Sequence, residues 1–195
     1  MNKITSKQYI ARYVFLKILF EEYKLFDFVP SESSMVKQFK TTNLTVRSAY
    51  SILQEYKILK PFKGKGYQVV NDAISFLWPL FAKIKDCEFK INFEKNEIDF
   101  FEKDKNNILI TVWSNHTFVQ KNSITTIFST LFREKINIDI FFNLSINESF
   151  SCHDDIVTIQ YNFINNNNKE ILLLLECRLK TDNFSIFNKT RSLNI

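Results

Sequence analysis

The 195-residue chain has two glycines, three prolines and two histidines. Glycine is the residue that turns tightly and lets backbone approach a ligand closely. Both glycines fall in one pentapeptide, Lys63-Gly64-Lys65-Gly66-Tyr67. That marks a tight, cationic turn. The three cysteines, Cys87, Cys152 and Cys177, are far apart and odd in number. This argues against a disulfide framework, and against a structural zinc site, which takes about four ligands with a close-spaced pair. Reduced thiols acting as small apolar groups are the expectation, and no cofactor is implied. No apolar run approaches the ~20 residues a membrane span needs. The start, Met1-Asn2-Lys3-Ile4-Thr5-Ser6-Lys7, lacks the apolar core of a signal peptide. A soluble cytoplasmic protein with no membrane partner is expected.

What is abundant is Phe, Ile, Lys and Asn. AT-rich codon usage produces that bias without selection on the protein, so the 21 phenylalanines are not read as an aromatic binding surface. By the same argument Asn165-Asn166-Asn167-Asn168 reads as a loop tip. The formal charge of +5 is unevenly spread. Residues 1–70 hold 12 basic and 5 acidic side chains, net +7, whereas residues 71–195 hold 14 and 16, net −2. The first segment has the electrostatic footprint of a nucleic-acid binder and the second does not. The division falls near Val70–Ala73.

Periodicity predicts a helix over Tyr9–Tyr23, with Tyr9, Tyr13 or Val14, Phe15, Ile18 and Leu19 on one stripe. Phe26, Phe28 and Val29 form a short extended piece ending at Pro30. Ser31 can cap a second helix, whose start Glu32 complements and whose buried face is Met35, Val36 and Phe39. A third helix is predicted over Asn43–Glu55, with Leu44, Ala49, Ile52 and Leu53 as core positions. Lys57–Phe62 and Tyr67–Val70 read as two strands around the glycine turn. Three helices and a two-stranded wing make a winged helix-turn-helix. Beyond Asp72, Ile74–Lys85 and Phe118–Phe132 read as helices. Apolar or alternating runs follow at Glu88–Phe93, Ile98–Phe101, Ile108–Trp113, Ile136–Phe142, Ile156–Phe163 and Ile171–Leu179, the last two joined as a hairpin. The fold class is α+β: a winged helix-turn-helix over 1–70, then a domain dominated by an antiparallel sheet over 71–195.

Val29-Pro30-Ser31-Glu32, Met35, Phe39, Thr45-Val46-Arg47-Ser48-Ala49 and Gly64-Lys65-Gly66 stand in the order and spacing of a family motif. On these residues the stretch resembles the DNA-binding domain of GntR-family bacterial transcription regulators over roughly residues 7–70. Two arginines of that pattern are absent, replaced by Ser33 and Asn43, with Thr42 at the preceding serine position. The resemblance implies DNA contact at these positions, and Asn43 suits adenine in place of the family's reading. Leu179-Lys180-Thr181-Asp182-Asn183-Phe184-Ser185-Ile186, followed by Arg191, resembles the end of the UTRA effector domain of the HutC-like subfamily. Ser75-Phe76 sits where that subfamily often has a Ser/Thr-Phe pair. This implies a chorismate-lyase-like fold and a small effector such as a sugar phosphate. The arginine pair that often holds an anionic effector is missing from Ile110–Ser114, and a common glutamate is Leu173 here.

The candidate DNA-binding residues are Ser33, Thr42, Asn43, Thr45, Arg47, Lys63, Gly64, Lys65 and Gly66. Short polar side chains and backbone N–H groups at a helix start meet phosphate, and the wing lysines do the same. Glu176, Arg178 and Lys180 share one strand face by period two and, with Asp182, are the candidate effector residues; the alternative is the wet face of a half-exposed sheet. Cys152-His153-Asp154-Asp155 is a run in a loop, and a triad needs partners that converge in space, so no catalytic residue is assigned. The expected function is a DNA-binding repressor, homodimeric on a palindromic double-stranded operator, with an effector-binding second domain. The alternatives are a constitutive regulator whose second domain only dimerises, and a chorismate-lyase-like enzyme.

Overall fold

The computed structural model describes residues 5–102 and 107–188; Arg191 lies outside the described residues. The chain forms two compact units. One comprises the N-terminal part through Phe76 together with Asn137–Phe142, and the other comprises Leu77–Ile136 and the chain from Asn143 onward.

The first unit opens with α1, Ser6–Leu19. Gln8 Oε1 accepts from the amide and the hydroxyl of Thr5 (3.1 and 2.9 Å), fixing the helix start. The helix stops four residues earlier than the apolar pattern, and Glu21 turns the chain out with φ 58°. Helix α2, Glu32–Phe39, is capped by Ser31, whose hydroxyl accepts from the Ser34 amide at 3.2 Å. It ends at Lys40 in the left-handed region, φ 47°. Helix α3, Asn43–Glu55, is capped by Thr42 and buries Val46, Ala49, Tyr50 and Leu53. The expectation that Leu44 is a core position fails, since Leu44 is 73% exposed. It lies two residues before Val46, about 200° round the helix from the buried stripe. Strands β1, Leu59–Phe62, and β2, Gly66–Val69, pair antiparallel, and Phe28 bridges to Gln68 along the other edge of β2. Asp72 then caps α4, Ala73–Leu77, accepting from the Ser75 amide and hydroxyl.

The second unit is built on one six-stranded antiparallel sheet. After α5, Phe81–Ile84, come β3, Glu88–Asn92, β4, Glu97–Phe101, and β5, Ile108–Ser114. Then follow α6, Ile124–Lys135, α7, Ile138–Phe142, β6, Leu144–His153, β7, Ile156–Asn165, β8, Glu170–Lys180, and α8, Thr181–Asn188. The strand order is β3-β4-β5-β8-β7-β6. One sheet face is apolar: Ile98, Phe100, Ile110, Val112, Val157, Ile159, Tyr161, Phe163, Leu173, Leu175, Cys177 and Leu179 are all buried. Phe128 of α6 packs on Trp78, Phe81 and Phe118 with ring centroids 4.9, 5.5 and 5.7 Å apart.

Further expectations change, and the helix expected from Phe118 begins only at Ile124. Pro79 follows α4 and no helix spans Ile74–Lys85; two short helices, α4 and α5, stand there. The run Ile136–Phe142 is helical, not extended, and α7 belongs to the first unit: Phe141 stacks on Phe15 of α1 at 5.1 Å, and Arg12 lies 4.7 Å over the Phe142 ring. Strand β6 has no counterpart among the apolar or alternating runs of the sequence. It is an edge strand exposed along most of both faces, so burial left no clean alternation in its sequence.

Candidate nucleic-acid interface

Two pieces of local structure carry most of the candidate DNA-binding residues of the first unit. The first is the start of α3. Thr42 Oγ1 accepts from the Thr45 amide at 3.2 Å, and the two hydroxyls lie 3.0 Å apart. Asn43 heads the helix and is exposed. Asn43 and Thr42 therefore stand at the positive end of the helix dipole, where an anion is favoured. Ser33 is exposed in the first turn of α2, its hydroxyl 3.1 Å from that of Ser31.

The second piece is the wing tip. Lys63, Gly64 and Lys65 are exposed and Gly66 is half-buried; the Lys65 amide donates to the Phe62 carbonyl at 3.0 Å. Gly64 has φ 73° and Gly66 φ 103°, and a Cβ at either would meet nothing within 4 Å. Backbone conformation, not crowding, favours glycine at both, most strongly at Gly66. The tip has room for a ligand to approach its backbone.

Arg47 is exposed on α3 but is not a loose surface charge. Its Nε and Nη2 donate to Glu32 Oε1 and Oε2 at 3.1 and 3.0 Å. Tyr67, from β2, donates its hydroxyl to the same Glu32 Oε1 at 2.9 Å. The Arg47 hydrogen bonds, aided by Tyr67, hold the Glu32 carboxyl below its ordinary range against the opposing effect of burial. The pair with Glu32 raises Arg47 in turn, while burial first, then the bond to Glu32, raises Tyr67. A carboxylate on α2 and a phenol on β2 thus aim a guanidinium on α3. In the sequence Glu32 stands out only as a complement to the α2 dipole. Its partnership with Arg47 spans 15 residues, and no local spacing rule reports it.

The second unit carries the candidate effector residues on the polar face of its sheet. Arg178 Nη2 donates to Glu97 Oε1 at 2.6 Å, and its Nε lies 3.3 Å from Glu176 Oε1 without forming a hydrogen bond. Gln160 donates to Glu176 Oε2 at 2.8 Å, and Thr111 to Asp99 at 2.6 Å. Glu176 and Arg178 are therefore brought together; Lys180 is exposed at the end of β8 and Asp182 lies in the first turn of α8. An open depression of about 430 Å³ lies in the β3–β4 hairpin, lined by Lys90, Ile91, Asn92, Phe93, Glu94 and Asp99. None of the four candidate effector residues lines it. Cys152 and His153 end β6 and Asp154 is in the following turn; His153 Nε2 is 3.6 Å from Asp154 Oδ2, both exposed. Among the described residues no cluster of His, Cys, Asp and Glu is placed to hold a metal ion, and no helix is long and apolar enough to cross a membrane.

The first unit is, in its element order and antiparallel ribbon, a winged helix. No family model matches the chain, and no curated protein matches it. Solved structures do. A GntR family transcriptional regulator from Listeria monocytogenes is 22% identical over 43% of this chain and 75% of its own, with a TM-score of 0.37. The possible transcriptional regulator YydK from Bacillus subtilis is 13% identical over 92% of this chain and 96% of its own, with a TM-score of 0.37. An IclR transcriptional regulator from Alicyclobacillus acidocaldarius is 9% identical over 92% of this chain and 90% of its own, with a TM-score of 0.32. Likenesses at this level do not assign the chain to a family. The functional case rests on the winged unit's own residues.

Proposed function

We propose that the chain is a DNA-binding transcriptional regulator of the GntR type, HutC-like with a UTRA effector domain, and a repressor. Residues 1–70 bind double-stranded operator DNA; residues 71–195 dimerise the protein and take a small effector such as a sugar phosphate. The observation that carries this is the joint display, on a segment of net charge +7, of an open α3 N-terminus, an aimed Arg47 and a lysine-flanked wing. Arg47, Lys63 and Lys65 bind phosphates or base edges; Thr42, Asn43, Thr45 and Ser33 present short polar groups beside them. Gly64 and Gly66 shape the wing so that its backbone reaches the duplex. The effector would act by favouring a dimer spacing that mismatches the operator, which needs differential affinity between the two states.

The test is a mobility-shift titration of Arg47→Ala with Lys65→Ala against a duplex selected from a random pool by the wild-type chain. Binding weakens and its salt slope becomes shallower, because each lost phosphate contact releases fewer counterions. Unchanged affinity and slope remove the proposal.

One observation favours a second reading, a constitutive regulator whose second unit only dimerises: Arg178 is already paired with Glu97 and Glu176. Titrating sugar phosphates with a thermal-shift readout separates the two. A compound that raises the melting temperature and releases DNA supports sensing; no response across the panel favours the constitutive form. An enzyme of the chorismate-lyase kind has no observation in its favour, and an assay for pyruvate release from chorismate checks it.

A further inference from the structure

The outer face of the wing is aromatic. On the ribbon, Leu59 and Val69 are buried and Tyr67 packs its ring 4.6 Å from Tyr50. Period two then places Lys60, Phe62 and Gln68 on the opposite face. Phe28, bridged to Gln68, extends that face by one strand. Phe28 and Phe62 meet edge-to-face at 6.0 Å, and Lys60 Nζ stands 5.8 Å over the Phe62 ring. Phe28 is 42% exposed and Phe62 38%. Next to them Phe26 is 67% exposed with φ 72°, a conformation rare for a bulky residue. Two bonds hold it there: its amide donates to the Val69 carbonyl, and Gln68 Nε2 donates to its carbonyl, each at 2.8 Å. Rings held outward in this way mark a contact surface, not leftover core.

We propose that this face is a minor-groove wedge: the wing tip enters the minor groove, and Phe62, backed by Phe28, presses against the base pairs there and bends the duplex. The inference rests on the DNA-binding reading above. Charge selects the occupant. The segments that build the face, residues 24–30 and 59–70, carry Lys24, Lys60, Lys63 and Lys65 against a single carboxylate, Asp27. Asp27 Oδ2 is turned back onto the Lys24 amide at 2.8 Å. A second copy of so cationic a face is repelled, while a polyanion is attracted. Phe62 directly precedes the tip lysine Lys63, so the apolar ring and the phosphate-binding ammonium groups reach the duplex together. Apolar side chains inserted at a minor-groove step unstack it and kink the duplex toward the major groove.

The experiment uses the full chain and the duplex selected by the wild-type protein, labelled at both ends for energy transfer. The wild type brings the ends closer. Phe62→Ala loses most of that bend and about tenfold or more in affinity, with an unchanged salt slope because a phenyl ring releases no counterions. Phe62→Leu keeps an apolar wedge and retains most of the bend. If Phe62→Ala keeps both bend and affinity while Arg47→Ala weakens binding, the wedge is wrong and DNA binding stands. If the wild type retains no duplex at all, both proposals fall. If the Phe28→Ala, Phe62→Ala double variant instead dissociates a DNA-free oligomer in sedimentation, the face is a self-association surface and the wedge is overturned.

Discussion

At the scale of single residues, Glu32 is the point on which α2, α3 and the wing converge. It receives two bonds from Arg47 and one from Tyr67. Being partly exposed, the pair contributes orientation more than stability. Its charge state still links folding to pH. The Glu32 carboxyl titrates below the ordinary 4.5 in the folded chain, pulled down by Arg47. A depressed carboxyl stabilises the fold above its unfolded value, and that contribution is lost as pH falls through the folded value. Melting followed from about pH 6 to pH 3 should therefore drop less steeply in Glu32→Gln than in the wild type. Parallel curves would show that the pair does not report on folding. The same variant frees Arg47, so its DNA affinity should fall although no basic residue has been removed. Cys177 belongs to this scale too: it is fully buried and its thiol is pushed well up by that burial. A thiol reagent should label exposed Cys152 in the native protein and reach Cys177 only after unfolding.

Elements show why some of the fold was legible and some was not. The second and third helices announce themselves through caps: Ser31 and Thr42 each accept the amide three residues on, and a cap is a local signal. The wing is legible because glycine is the residue best suited to φ 73° and φ 103°, and both of the chain's glycines stand there. Gly64→Ala and Gly66→Ala should each cost roughly 1 kcal/mol in stability from left-handed strain alone, measured by denaturant unfolding; a neutral result would mean the tip relaxes to another turn. The buried strands read correctly because their apolar runs are set by burial on one face. What stayed hidden is set by tertiary context. Helix α7 has a run of apolar residues too short for periodicity to separate helix from strand, and it is fixed by Phe15 and Arg12 of α1. The aromatic face of the wing was hidden by composition: in a chain with 21 phenylalanines, three exposed ones carry no signal until the structure shows them together. Phe128, by contrast, is fully buried among Trp78, Phe81 and Phe118. Phe128→Ala should destabilise the second unit by about 3–5 kcal/mol.

At the scale of the whole molecule, the dimer proposed above needs a surface that pairs two copies, and β6 is the candidate. It is a ten-residue strand at one end of the strand order. It carries none of the lysines or prolines that usually blunt such an edge. Ile146, Glu148, Phe150 and Cys152 share the side of the sheet that is buried in β7, as the pairings Ile146–Phe163 and Phe150–Ile159 show. Yet Ile146 and Phe150 remain 36% and 45% exposed. Phe184 of α8 meets the Phe150 ring edge-to-face at 6.5 Å and leaves part of it open. An antiparallel β6-to-β6 pairing about a two-fold axis would continue the sheet into the second copy and cover Ile146 and Phe150 of each, an isologous contact that closes at two. Ile146→Lys with Phe150→Lys places like charges across that axis, and sedimentation at micromolar concentration should show the mass falling from dimer to monomer. A wild type that is already monomeric would sink the dimer itself, and a variant that stays dimeric would move the interface elsewhere. Because two linked sites gain through effective concentration, the monomeric variant should lose about a hundredfold or more in affinity for the palindrome. Its affinity for a single half-site should match that of the wild type, since the winged unit is untouched.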